Sequence, residues 1–191
     1  MNMSDYTELM GELLELGVNA NPAFPFTACI LDSSGQILIT ACNACHISPL
    51  YTAEGLALHL LASEFDCQQK QSLTLITTSE PDDLSLMAIY WARCRGIHID
   101  EIIYGISRTE LKKIWPADPS QGLDVNLKRF PEEFSSSISI HGLVLADECF
   151  DAFEEGKAMF DRGDDPVRSM DIDQYWMTGD WLIDDWEEEV E

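Results

Sequence analysis

Residues 77–94, TTSEPDDLSLMAIYWARC, have the frame of a catalytic motif. A strand-like run ends at Glu80-Pro81, and apolar residues at helical spacing follow it. A strand that ends in a Pro turn and opens a helix directs free backbone N–H groups and the next side chains towards a pocket mouth. Asp82 and Ser85 stand where reactive groups would be expected. Glu54, which opens an earlier helical run, is a second carboxylate that could act as a general acid or base.

Helical and strand-like patterns alternate through residues 1–107, and these elements must position the two carboxylates. The predicted helices are 5–16, which Gly17 ends, 52–65 and 83–95. The predicted strands are 25–31 and 36–41, joined as a hairpin, 73–78 and 101–106. This order predicts an α/β fold of three layers, α/β/α, with a mixed central sheet and helices on both faces.

The pattern is weaker after residue 107. We predict a short helix over 109–114, a strand or buried extended segment over 137–145, and a helix over 146–160. One domain is therefore expected over 1–160, followed by an acidic, Trp-rich C-terminal tail over 161–191. Trp176, Trp181 and Trp186 each offer a large apolar surface. They predict that the tail docks on its own domain, on a dimer mate or on a partner protein.

The composition of the 191 residues excludes several classes of function. The hydrophobic fraction of 46% is typical of a globular protein. No apolar run approaches the roughly 18 residues that would cross a bilayer, so we expect no membrane partner. The N-terminus lacks the pattern of a signal peptide, which predicts a cytoplasmic location. A net charge of −24 repels phosphate backbones, and nucleic acid is therefore not an expected partner.

Several blocks of the chain together resemble one known family. In chain order they are PFTACILDSSGQIL, Asn43, YTAEGLAL, TSEPDDLSLMAIYWAR and IIYGIS. They resemble the cytidine deaminase superfamily, especially its guanine deaminase and tRNA adenosine deaminase branch. The resemblance covers residues 22–107 in detail and implies the cytidine-deaminase-like fold. It also implies a homodimer, because members of the family commonly pair through helices such as the one that holds Trp91.

The zinc-binding signature of that family is altered in this chain. The family pattern is His-x-Glu followed by Pro-Cys-x-x-Cys, in which the His and the two Cys bind zinc and the Glu transfers protons. By the resemblance, Thr52 stands at the His position, Asp82 and Ser85 stand at the Cys positions, and Glu54 is kept. All three zinc ligands are therefore expected to be replaced by oxygen-bearing side chains, and we predict no cofactor and no metal-binding residue.

Loss of zinc would remove most of the rate acceleration that the active sites of this family give to hydrolysis. Bound zinc lowers the pKa of water from about 15.7 to about 7, which corresponds to up to roughly 12 kcal/mol in forming hydroxide. A general base such as Glu54 contributes typically about 10² to 10⁴ in rate, which does not close this gap. Three arrangements remain open at this stage: a hydrogen-bonded cluster, a hard cation on the oxygen ligands, or zinc held by other residues.

Residues 42–46 offer an alternative metal site. Cys42, Cys45 and His46 form a C-x-x-C-H pattern between a strand end and the next helix. A relocated zinc site would use Cys45, His46 and Asp82. The simpler interpretation is a buried cysteine followed by a loop histidine.

Three residues are candidates for contact with a substrate. Asn43 stands where the family places a ligand-contacting Asn, and Thr52 and Ser85 stand at the altered zinc positions. Glu54 and Asp82 are the candidate catalytic residues.

Three hypotheses of function follow. The first is a deaminase-fold protein that has lost hydrolytic deamination and binds a nucleobase-like small molecule or a partner protein. The second is an enzyme that uses Glu54 with Asp82 on a cyclic amidine such as guanine or cytidine, without metal or with a relocated metal. The third is a scaffold subunit that supports a partner. By the resemblance, the C-terminal tail would cover the pocket as a lid.

Overall fold

A mixed sheet of six strands lies at the centre of the computed structural model, which describes residues 3–64, 72–164 and 168–178. The strands are β1 Thr27–Leu31, β2 Ile37–Cys42, β3 Ser72–Ser79, β4 His98–Ile106, β5 Ser139–His141 and β6 Trp176–Thr178. They lie in the order β5-β4-β3-β1-β2-β6. The strands β3, β4 and β5 run parallel, β1 is antiparallel to β2 and β3, and β6 is antiparallel to β2. The predicted mixed sheet is confirmed.

Helices cover both faces of this sheet. In the described ranges they are α1 Met3–Ala20, α2 Ala53–Glu64, α3 Asp83–Cys94, α4 Arg108–Ile114, α5 Leu123–Asn126, α6 Glu132–Ser135 and α7 Ala146–Arg162, with 3-10 turns at Leu127–Arg129 and Ile172–Tyr175. The helices α2 and α3 pack on one face of the sheet. On the other face lie α1 and α7, and α4 packs against α7. The predicted three-layer α/β/α fold is therefore confirmed.

The apolar core has two layers because side chains alternate along each strand. In β1, Ala28 and Ile30 pack in the layer of α2 and α3, whereas Cys29 and Leu31 pack in the layer of α1 and α7. Successive residues of a strand point to opposite faces of the sheet. All five residues of β1 are buried, so a continuous apolar run serves both layers.

The first helix is longer than its sequence predicts. We expected Gly17 to end it, and that prediction is wrong, because α1 continues to Ala20. A Cβ atom at position 17 would meet the Thr27 side chain and lie 2.7 Å from the Pro25 carbonyl oxygen. The missing side chain therefore allows α1 to lie close to the start of β1. Here glycine serves close packing and not helix termination.

The described part of the predicted tail packs on the chain's own sheet. Trp176 lies in β6 and pairs with Ala41 of β2, and Tyr175 is buried. Of the three predicted docking surfaces, residues 168–178 therefore pack on the chain's own domain. Trp181 and Trp186 lie outside the described residues. The division into a domain over 1–160 and a tail over 161–191 stays a prediction.

No helix in the described segments is long and apolar enough to span a bilayer. One side of α3 carries large apolar side chains that are exposed, namely Leu84, Met87 and Trp91. Their spacing of three and four residues places them on one face of the helix. The homodimer and the cytoplasmic location stay predictions.

Candidate functional site

The first turns of α2 and α3 lie next to each other, and each helix is capped by a predicted site residue. Thr52 precedes α2, and its Oγ1 accepts a hydrogen bond from Gly55 N at 3.1 Å. Asp82 precedes α3, and its Oδ1 accepts a hydrogen bond from Ser85 N at 2.7 Å. Such caps typically stabilise a helix by about 1 kcal/mol. Thr52 and Asp82 therefore have a structural role in addition to any role in binding.

Glu54 lies in the first turn of α2 and is only 3% exposed. Its Oε1 accepts a hydrogen bond from Thr77 Oγ1 at 2.7 Å, and its Oε2 accepts one from Ser85 Oγ at 3.1 Å. The Ser85 hydroxyl also lies 3.4 Å from Thr52 Oγ1. Among the three arrangements that the sequence left open, these contacts correspond to the hydrogen-bonded cluster of oxygen side chains.

The side chains at this cluster do not fit the zinc ion that the fold family implies. Zinc in proteins is bound by Cys thiolate, His nitrogen or carboxylate oxygen. Thr52 and Ser85 offer neutral hydroxyls, and Asp82 is engaged as a helix cap. In the part of the chain that the structure describes, no three or more His, Cys, Asp or Glu side chains are grouped so as to hold a metal ion. Cys45, His46 and Asp82 share a pocket without forming such a group.

The two thiols near this cluster have raised pKa values. Burial raises the pKa of Cys42 to about 12 and that of Cys45 to about 11, and in Cys45 the charges of Asp82 and Glu54 add to the effect of burial. Cys42 lies within the core and its Sγ contacts Thr27 Oγ1 at 3.9 Å, which agrees with the simpler interpretation of this cysteine.

Burial raises the pKa of Glu54 above the usual carboxyl range, and the negative charge of Asp82 raises it further. The hydrogen bond from Thr77 and the positive charge of Arg108 act in the opposite direction. A raised pKa favours the protonated carboxyl, which can donate a hydrogen bond to a ligand or act as a general acid. Glu54 is thus the group in this site best suited to proton transfer.

The pKa of Glu54 predicts how stability depends on pH. A carboxyl whose pKa is higher in the folded state stabilises that state below its unfolded pKa, and this contribution is lost as the pH rises through the folded pKa. The variant Glu54→Gln cannot ionise and keeps the shape of the side chain. We expect it to be more stable than the natural chain by about 1 to 3 kcal/mol at pH 7.5, and equally stable near pH 4.5. Urea denaturation at both pH values measures this.

The control for that variant is Glu15→Gln. It removes the same charge from an exposed position on α1 and reports the effect of the net charge alone. A Glu54→Gln variant no more stable at pH 7.5 than Glu15→Gln would contradict the predicted ionisation penalty.

Glu54 and Asp82 line a pocket of about 430 Å³. Its wall also includes Phe24, Phe26, Asn43, His46, Arg108 and Arg168. A cavity of this size with a few convergent polar groups is typical of small-molecule sites. The aromatic rings offer apolar surface for a flat ligand, and the polar groups offer specific contacts to its edge.

The structure brings most of the predicted site residues together. Asn43, Thr52, Glu54 and Asp82 line the pocket. Ser85 is fully buried and contacts Glu54 instead, so it positions that carboxyl. The predicted catalytic pair therefore shares one cavity with two of the three predicted substrate-binding residues.

Sequence reasoning missed the two arginines and the two phenylalanines of the wall. Arg108 opens α4, and Arg168 comes from the C-terminal segment, so no local motif links either of them to Glu54. The sequence offered one signal for the arginines, namely that basic residues are few: 11 against 35 acidic ones. His46 was predicted as a possible metal ligand or as a loop histidine, and its Nε2 lies 2.8 Å from the Ser169 carbonyl oxygen.

No protein-family model matches the sequence, and a comparison with curated proteins finds no match. Solved structures do match. A guanine deaminase from Nitrosomonas europaea is 22% identical with a TM-score of 0.59, over 78% of this chain and 82% of that chain. A variant of the protein NE0047 in complex with 8-azaguanine is 21% identical with a TM-score of 0.62, over 80% of this chain and 84% of that chain.

A tRNA:A34 deaminase structure is also similar, at 16% identity and a TM-score of 0.53, over 74% of this chain and 99% of that chain. At these identities the likeness establishes the fold alone. The cytidine-deaminase-like fold predicted from the sequence is thereby confirmed.

Proposed function

We propose that this cytidine-deaminase-like protein binds a planar, nucleobase-like molecule beside Glu54 and does not hydrolyse it through zinc. The observation that carries the proposal is the hydrogen-bonded cluster around Glu54. Both of its carboxylate oxygens accept hydrogen bonds from hydroxyl groups, at the wall of a 430 Å³ pocket. The cluster keeps a carboxyl in the pocket while its neighbours offer poor zinc ligands.

Other groups in the pocket support a flat heterocycle as the ligand. Phe24 and Phe26 line the pocket and contribute apolar aromatic surface to it. The Asn43 side chain is oriented by the hydrogen bond that its Oδ1 accepts from Cys45 N at 3.2 Å, and this leaves Nδ2 as its donor side. A carboxyl and an amide together can pair with the donor and acceptor edge of a nucleobase. The similar structure of NE0047 holds 8-azaguanine.

A calorimetric titration of the purified protein with guanine, 8-azaguanine, cytosine and cytidine tests this proposal. We expect at least one of these compounds to bind, and the variant Asn43→Ala to weaken that binding about tenfold, because a ligand atom would lose its hydrogen-bond partner. The control variant Asn19→Ala changes an exposed asparagine of α1 and should bind normally. No binding of any of the four compounds, each titrated up to its solubility limit, would contradict the proposal.

A second candidate function is metal-free acid–base catalysis by Glu54 with Asp82. The observation that favours it is the raised pKa of Glu54, to which the charge of Asp82 contributes. Two carboxyl groups with different pKa values can divide the roles of acid and base. Ammonia release from guanine or cytidine, lost in Glu54→Gln, would support this function. Turnover that survives the substitution would exclude Glu54 as its acid or base.

A further inference from the structure

Two arginines lie at the wall of the pocket that contains Glu54. The side chain of Arg108 is only 7% exposed, and Arg168 is half-buried. Removing a guanidinium group from water is unfavourable unless acceptors replace the lost hydration. The chain has only 11 basic residues, and two of them lie at the wall of this one cavity.

The interactions of Arg108 leave much of its donor capacity unused. Its Nη1 donates to Asp118 Oδ2 at 3.3 Å, which is longer than the roughly 2.7–2.9 Å of a strong charged hydrogen bond. Its Nε is buried and makes no hydrogen bond with any residue that the structure describes. A guanidinium has five N–H donors. The Asp118 carboxylate at 3.3 Å therefore uses only part of the donor capacity of Arg108.

Arg168 is held at the same wall by contacts that include neutral groups. Its Nη1 donates to Asn21 Oδ1 at 3.4 Å, and its guanidinium carbon lies 6.0 Å from the centre of the Phe24 ring. Asn21 is itself buried, and its Nδ2 donates to the Asn43 carbonyl oxygen at 3.2 Å. The position of Arg168 is thus linked to the residue proposed to contact the ligand.

We propose that the ligand of this pocket carries an anionic group, a carboxylate or a phosphate, which Arg108 and Arg168 bind while the heterocycle lies beside Glu54 and Asn43. This inference rests on the proposed function, because it concerns the same pocket. Guanidinium groups match the oxygens of carboxylate and phosphate with paired hydrogen bonds.

The other charges of the protein restrict this ligand to a small anion. A net charge of −24 disfavours the approach of a polyanion such as a nucleic-acid backbone. Inside the pocket, Glu54 and Asp82 are the acidic side chains, and the burial of Glu54 favours its neutral form. A single anionic group next to the arginines is therefore compatible with the heterocycle next to Glu54.

Matched pairs of compounds test the inference. Cytidine and cytidine 5′-monophosphate, guanosine and guanosine 5′-monophosphate, and uracil and its 6-carboxylate differ mainly in the anionic group. We expect the charged member of at least one pair to bind about ten- to a hundredfold more tightly than the neutral one. The nucleotide pairs report on phosphate, the uracil pair reports on carboxylate, and inorganic phosphate alone measures the anion without the ring.

Variants connect that preference to the two arginines. The substitution Arg168→Gln should remove most of the preference for the charged member of a pair, whereas Arg168→Lys should keep part of that preference. The substitution Arg108→Gln should act in the same direction, and Arg168→Gln decides the question if that variant fails to fold. The matched control is Arg129→Gln, an exposed arginine paired with Asp83.

The two proposals fail in different ways. Equal or weaker binding of the charged member in every pair, with neutral binding intact, would overturn the anionic ligand and leave the proposed function standing. A preference for anions that persists in both Arg168→Gln and Arg108→Gln would also overturn it. Absence of binding by neutral and charged compounds alike would contradict the proposed function itself.

Discussion

The triple variant Thr52→His, Asp82→Cys and Ser85→Cys is expected to bind about one zinc ion per chain, whereas the natural chain is expected to retain far less. One imidazole and two thiolates form the ligand set with which this fold family binds catalytic zinc. Thr52 and Ser85 already lie close together, with 3.4 Å between their hydroxyl oxygens, and Asp82 caps the same helix that carries Ser85. The backbone positions therefore suit a common ion.

The free energy of zinc binding should exceed the loss of folding stability that the three substitutions cause. Loss of the two helix caps costs about 1 kcal/mol each. Structural zinc sites contribute roughly 10–16 kcal/mol in peptides, so even a weaker site should outweigh that loss. We therefore expect zinc to raise the melting temperature of the variant and leave that of the natural chain unchanged.

Metal analysis after dialysis against a weak chelator measures this result. The natural chain incubated with zinc in parallel is one control, because it retains Cys42, Cys45 and His46. The single variant Thr52→His is a second control with only one new ligand. A natural chain that retains one zinc ion, or a folded triple variant that takes up none, would contradict the interpretation of these three positions.

The substitution Glu80→Ala is expected to lower the free energy of unfolding by about 3 to 5 kcal/mol. Glu80 is 5% exposed and precedes the Pro81 turn that leads into α3. Its Oε2 accepts a hydrogen bond from Arg108 N at 2.7 Å, and its Oε1 accepts one from Leu123 N at 2.5 Å. Its removal would leave two buried backbone N–H groups without acceptors, at about 1 to 3 kcal/mol each, and a cavity besides.

The control for that loss is Glu110→Ala, which removes an exposed carboxylate paired with Lys113 and should change stability by no more than about 0.5 kcal/mol. The substitution Glu80→Gln should be intermediate, because one of its two terminal atoms can still accept a hydrogen bond. Urea denaturation gives all three values. A loss below about 1 kcal/mol in Glu80→Ala would show that Glu80 does not hold the start of α4 in place.

Glu80 also has a role that local sequence patterns do not reveal. It stands two residues before Asp82 in the sequence, and the motif drew attention to Asp82 and Ser85 as the reactive positions. The contacts of Glu80 reach 28 and 43 residues further along the chain, to backbone N–H groups that any residue except proline could supply. Its role as a buried acceptor therefore depended on how the chain returns over α3, which no spacing in the sequence records.

The sequence by itself determined the layers of the fold and the carboxylates of the site. Both are encoded locally, because the period of apolar residues follows directly from helix and strand geometry. The apolar run of β1 and the turn after it show this. Asp32 Oδ1 accepts hydrogen bonds from Ser34 N and Gln36 N, and Gly35 takes a left-handed φ of 88°.

Only the tertiary structure decided the wall of the pocket and the partners of its charges. Arg108 and Arg168 are separated by sixty residues, and both line the pocket with Phe24 and Glu54. Arg108 comes from the start of α4, whereas Arg168 belongs to the segment whose strand β6 pairs with the edge of β2. The prediction that Gly17 ends α1 failed for a related reason, since that glycine permits close contact with the distant residue Thr27. Contacts between distant segments depend on the packing of the whole chain, and local preferences do not contain that information.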